Sequence, residues 1–126
     1  PKTLRLIHKN KTAKFFAAAI KCGAIVANAS EDLLNILFRV GLYLGMLFQI
    51  TDDILDVVGD KEKMGKATKK DAVQNKLTYP RIYGLEGTRF RAECYADLIH
   101  KLVSRISKYK FEFLIALTDY ILKRNF

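Results

Sequence analysis

The feature that most constrains this chain is a segment, residues 33–55, that is apolar nearly all the way round, inside a stretch (residues 2–79) with no proline. A run of this length reads as a helix, since buried strands span only about 4–8 residues. A helix that is apolar on every face has to lie at the centre of a bundle, because each face needs a partner to remove it from water. Ser30, followed by Glu31 and Asp32, marks its start. A hydroxyl N-cap and early acids satisfy free N–H groups and the positive end of the dipole. The expected end is Gly59, which gives a rod roughly 40 Å long at about 1.5 Å per residue. Gly41 and Gly45 either bend the rod or let a neighbour approach closely.

The rest of the chain also reads as helix, so the expected class is all-α. Asn10 or Thr12 caps a helix to about residue 29, with Phe15, Phe16, Ala19, Ile20, Gly23 and Ile25 at helical spacing. Residues 60–77 break the apolar pattern and read as a loop. Thr78 caps a short helix with Pro80 in its first turn. Gly87 ends that helix, Thr88 caps another to about residue 108, and a last helix covers roughly residues 111–123. These flanking helices are too few to cover the central rod. Residues 1–126 are therefore expected to be part of a larger helical domain, or to pair with another chain; the first residue, Pro1 rather than Met, fits a piece of a longer protein.

Composition excludes several classes. Half the residues are apolar and 28% are charged, which is a globular balance rather than a disordered one. Cys22 and Cys94 form no C-x-x-C, so a disulfide scaffold or zinc knuckle is not expected, and reduced thiols suit a cytoplasmic protein. No run reaches the ~18 consecutive apolar residues of a membrane span, and no signal-peptide core follows the basic start.

Lys and Arg number 22 against 13 Asp and Glu, a net charge of +9. Residues 1–21 carry six basic residues and no acidic one, and residues 61–76 carry six lysines. Between them lie Asp52, Asp53, Asp56 and Asp60. Lysines attract phosphates and clustered carboxylates attract divalent metal, so the combination points to a metal-phosphate ligand. Basicity alone would suggest a nucleic-acid-binding module, but the aspartates would repel a phosphate backbone unless metal intervened.

On a helix turning about 100° per residue, Asp56, Gln49, Asp60 and Asp53 fall about 40°, 60°, 80° and 100° from Asp52. An otherwise buried rod thus carries a narrow polar stripe, expected to face inward onto a cavity. One alternative is a solvated acidic face with no ligand, which the strongly apolar flanking residues disfavour. Carboxylates this close repel one another and oppose the helix C-terminal dipole, so the arrangement persists most readily where a cation neutralises it. Mg²⁺ is the natural candidate, because it commonly bridges one or two carboxylates to substrate phosphates.

The segment Phe48-Gln49-Ile50-Thr51-Asp52-Asp53-Ile54-Leu55-Asp56 resembles the second aspartate-rich motif of the trans-isoprenyl diphosphate synthases, most of all bacterial farnesyl diphosphate synthases. Lys11-Thr12, Gly65-Lys66, Asp71, Asn75-Lys76-Leu77-Thr78-Tyr79-Pro80, Leu85-Glu86-Gly87 and the closing Asp119 to Asn125 fit the same family in order and spacing. Ala13 stands where the family usually has Gly. The family's first aspartate-rich motif has no counterpart, so the resemblance covers only the C-terminal half of such an enzyme.

The resemblance implies an isoprenoid-synthase fold and a Mg²⁺-dependent short-chain prenyltransferase, active as a homodimer. Such an enzyme joins isopentenyl diphosphate to an allylic diphosphate, dimethylallyl or geranyl, to give farnesyl or a related prenyl diphosphate. It implies Asp52 and Asp56 as metal ligands, and Lys11, Lys66 and Lys76 on the diphosphate, with Lys76 alternatively paired to Asp71. Thr12 and Gln49 would face the carbocation as dipoles; the alternative is a pair of satisfied buried polar groups. Asp53 would orient a metal-bound water or pair with Lys11, the alternative being a plain ion pair. His8 and His100 have no partner nameable from sequence. The rival to an enzyme is a non-catalytic helical partner using the same half as an interaction surface, although an interface has no need of the aspartates, Lys11 or Gln49.

Overall fold

A computed structural model describes the backbone of residues 2–63 and 77–124, and side chains over 2–59 and 77–124. Those residues are helical throughout apart from short connections, with no strand among them. The helices are α1 (Lys2–His8), α2 (Lys14–Val26), α3 (Glu31–Lys63), α4 (Tyr79–Ser104) and α5 (Glu112–Lys123). A π-helical turn, Lys9–Ala13, joins α1 to α2, and a 3₁₀ turn, Ser107–Tyr109, precedes α5.

The central rod is α3. Val40, Leu44, Leu47, Ile50 and Ile54 are at most 1% exposed, and α2, α4 and α5 all pack on this helix. It begins as expected: the Ser30 carbonyl accepts the Leu34 N–H at 2.9 Å, and its hydroxyl lies 3.4 Å from the Leu33 N–H. It does not stop at Gly59 but continues to Lys63. Helix α3 is long and apolar enough to cross a bilayer by length and composition, a property shared by buried core helices; 61% of the apolar window is buried here.

Gly41 and Gly45 serve close packing. A Cβ on Gly41 would sit 2.5 Å from the Ala17 Cα, and one on Gly45 would sit 2.5 Å from the Ala13 Cα. The backbones of α2 and α3 therefore touch along a seam of small residues. Helix α2 ends with Asn28 in the left-handed region (φ 53°) and an Ala29 N–H to Ala24 carbonyl bond of 3.0 Å, a closing turn that Asn tolerates.

Three sequence expectations are corrected. Neither Asn10 nor Thr12 caps a helix, because α1, the π turn and α2 run on without a break. The interruption in α4 falls at Gly84 (φ 70°, ψ 172°), not Gly87; only glycine adopts that backbone without strain. Thr88 is fully buried and donates to the Gly84 carbonyl at 2.6 Å instead of starting a new helix, and α4 ends at Ser104.

Several large apolar side chains stay exposed on the flanks, among them Phe15 and Val26 on α2 and Phe113 and Tyr120 on α5.

Candidate active site

The site grows out of the α2–α3 seam. Along α3, Gly41, Gly45, Gln49 and Asp53 recur every four residues and share one face. Against them lie Ala17, Ala13, Thr12 and His8. Small residues meet first, and polar ones take over towards the C-terminal end of α3. The Thr12 hydroxyl donates to Gln49 Oε1 at 2.9 Å, and Gln49 Nε2 lies 3.4 Å from Asp53 Oδ1. Asp53 Oδ2 accepts the Tyr79 N–H at 3.0 Å and lies 3.7 Å from His8 Nε2.

The π turn makes this register possible. In an unbroken α-helix of about 100° per residue, His8 would point about 180° away from Ala17. One wider turn at Lys9–Ala13 absorbs the excess, and His8 reaches Asp53. Regular periodicity could not have found His8, and a π turn has no composition signal. His100 on α4 has its Nε2 2.9 Å from Asp119 Oδ1 on α5, a contact set by how the two helices pack.

The aspartates part company. Asp53 is 1% exposed, faces the seam, and caps the first turn of α4 from another helix; Thr78 is extended and makes no side-chain cap. The basic side chain beside it is His8, not Lys11. Asp52 is half-buried and Asp56 exposed, one turn apart on the flank of α3. Among the described side chains, the expected inward stripe thus holds for Gln49 and Asp53 only. Lys11 is exposed on the π turn beside Thr12. Phe48, half-buried, walls this flank: its ring lies 5.5 Å from Phe16 and 5.7 Å from the Arg124 guanidinium. Lys66 and Lys76 lie outside the described residues, as do Asp71 and the side chain of Asp60.

Asp52 and Asp56 are the residues that could hold a metal. Among the described residues no third His, Cys, Asp or Glu joins them. Two carboxylates without a closed cage suit Mg²⁺, which keeps waters and takes phosphate oxygens, and do not suit a structural zinc.

A cavity of about 300 Å³ lies on another flank, lined by Lys2, Arg5, Lys9, Met46 and Tyr95 among others, and by none of the aspartates. Burial pushes the Tyr79 hydroxyl up to about 12; the nearby Tyr95 and Tyr83 add to this, and Arg5 and Arg91 oppose it. Burial raises Tyr95 as well, against Arg5, which hydrogen-bonds it.

An all-helical bundle whose buried central helix bears an aspartate-rich segment near its C-terminal end is the architecture of the isoprenyl diphosphate synthases. The polyprenyl synthetase family model matches residues 2–111, and the chain belongs to that family. It is 38% identical over 122 residues to geranylgeranyl pyrophosphate synthase 7, chloroplastic, of Arabidopsis thaliana, covering 97% of this chain and 35% of that protein. A decaprenyl diphosphate synthase from Rhodobacter capsulatus superposes with a TM-score of 0.78 at 28% identity, over 98% of this chain and 50% of that one. A Helicobacter pylori geranyltransferase complexed with magnesium and isoprenyl diphosphate superposes with a TM-score of 0.71 at 27% identity, over 98% and 40%. The chain spans about a third of the length of the curated relatives it matches.

Proposed function

We propose that this chain is the C-terminal half of a single isoprenoid-synthase domain, and that the whole protein is a Mg²⁺-dependent short-chain prenyltransferase. It condenses isopentenyl diphosphate with dimethylallyl or geranyl diphosphate, giving farnesyl or a related prenyl diphosphate. The observation that carries this reading is the pairing of Asp52 and Asp56, one turn apart on the flank of a buried helix, beside the seated Thr12–Gln49 pair. The likeness to a geranyltransferase complexed with magnesium and isoprenyl diphosphate supports it.

The barrier in this chemistry is separation of diphosphate from an allylic cation. Asp52 and Asp56 would hold Mg²⁺, which supplies charge neutralisation on the leaving group when bound. Lys11, with Lys66 and Lys76, would add mobile positive charge there. The Thr12 and Gln49 oxygens are dipoles that stabilise positive charge without capturing it. The far wall of the pocket would come from the rest of the protein, over the exposed flanks of α2 and α5. A homodimer and a cytoplasmic location, the latter suited to the free thiols Cys22 and Cys94, complete this reading.

The test is product formation by the full-length protein from isopentenyl and geranyl diphosphates, with and without EDTA. A prenyl diphosphate product that disappears with chelation supports the reading. Absence of product with either allylic substrate, or turnover indifferent to EDTA, rejects it.

A further inference from the structure

We propose that His8 is a positioning residue, which acts through Asp53 to set both the Gln49 carboxamide and the first turn of α4. The imidazole is 5% exposed and sits where three helices meet. Its Nε2 lies 3.7 Å from Asp53 Oδ2, and its ring lies 5.3 Å from the Tyr79 ring at a 35° tilt. Asp53 is buried to 1% exposure, and His8 packs on it from α1 beside the Tyr79 N–H and the Gln49 amide.

Asp53 in turn fixes two things. One oxygen accepts from the Tyr79 N–H, which anchors the start of α4. The other lies by Gln49 Nε2, while the Thr12 hydroxyl donates to Gln49 Oε1. An ionised carboxylate only accepts, so it fixes which end of the amide carries nitrogen. The carboxamide oxygen is thereby held beside Thr12. Without His8 the carboxylate would lose its contact with α1 and be free to turn out of the seam, and both Gln49 and Tyr79 would lose their anchor. Partners of this kind, one step removed from the reacting groups, alter activity by about 10–100-fold in metal sites.

The kinetic half of this inference rests on the prenyltransferase reading; the structural half does not. The test uses the full-length protein with His8→Phe, which keeps a ring against Tyr79 without the nitrogens, and His8→Gln, which restores a polar side chain. Deuterium uptake at the start of α4 is measured beside steady-state kinetics. His8→Phe is expected to speed exchange at the Tyr79 amide at least tenfold. It should lower kcat about 10–100-fold while KM for isopentenyl diphosphate moves less than threefold, and His8→Gln should recover most of both losses. Unchanged exchange, or a lowered melting temperature with unchanged kcat, overturns the inference, as does a His8→Gln variant as impaired as His8→Phe. If no form makes product yet His8→Phe still speeds Tyr79 exchange, the enzymatic reading fails and the positioning of α4 by His8 stands. Should His8→Phe not fold, His8→Ala takes its place in every arm.

Discussion

Asp52 and Asp53 are adjacent in sequence and opposite in circumstance. The half-buried Asp52 shares a flank with Asp56, while Asp53 is sealed in the seam against His8, Gln49 and the Tyr79 amide. Substitution should separate the two roles. Asp52→Ala in the full-length protein is expected to cost about a hundredfold to a thousandfold in kcat, as loss of a charge-stabilising group typically does, with a denaturation midpoint close to wild type. Near-normal turnover would remove Asp52 from the metal site. Asp53→Ala is expected to lower stability by about 1.5–3 kcal/mol, the usual cost of losing a hydrogen bond to a charged group, read as a fall in urea midpoint. Tyr79 gives a prediction in pH. Its folded pKa, about 12, lies above the ordinary 10.0 because burial disfavours the phenolate. The unfolded chain therefore releases the proton first, so stability from this group is full below pH 10 and falls as pH rises towards 12. Tyr79→Phe should flatten the loss between pH 10 and 12 in thermal melts; an unaltered alkaline slope would assign that loss to other groups.

Between α2 and α3 the decisive contact is backbone on backbone, and it sets the register in which Thr12 meets Gln49. Gly45→Ala would drive a methyl to 2.5 Å from the Ala13 Cα, one residue from Thr12. Overpacking of this kind costs about 1–3 kcal/mol. Activity should fall with it, because the helix carrying Gln49 moves away from Thr12; equal activity per folded molecule would show that the two helices need not touch. Much at this scale was legible in the sequence. Apolar residues on all sides identified α3 as the central rod, and Ser30-Glu31-Asp32 placed its start, because burial and capping leave compositional marks. The Lys9–Ala13 π turn left none: Asn10 and Thr12 suggested caps, and the helix simply widened there. The Gly84 break was also hidden, since Gly84 and Gly87 are equal in composition and only the backbone angles choose between them. The polar stripe was drawn too broadly for a related reason. A 100° spacing tells which residues are neighbours, but the position of α1 and α4 decides that Asp53 is enclosed and Asp56 is not.

As a whole, the molecule is a central rod with neighbours on some sides and exposed apolar groups beyond them. Phe15 is 74% exposed, Val26 83% and Phe113 74%. Scattered apolar residues on a surface are ordinary; large ones on two helices that pack against α3, such as Phe15 and Val26 on α2 and Phe113 on α5, suit cover by further protein. The sequence already implied this, since a rod apolar all round outnumbered its partners, and the span of about a third of the curated relatives agrees. Ionisation of an allylic diphosphate requires a site that excludes water, which strengthens each charge interaction with the leaving group. Here Asp56 is open to solvent and the described cavity lies elsewhere. On the proposed function, the 126-residue chain on its own should therefore form no detectable condensation product from isopentenyl and geranyl diphosphates with Mg²⁺, and the full-length protein should form one. The same isolated chain should self-associate through the uncovered faces, visible as concentration-dependent mass in light scattering. Phe15→Lys with Phe113→Lys should reduce that association by placing charge where burial is needed. Turnover by the isolated chain would mean that Asp52, Gln49 and Lys11 suffice without a second wall, and a monodisperse monomer would mean that the exposed aromatics are no interface.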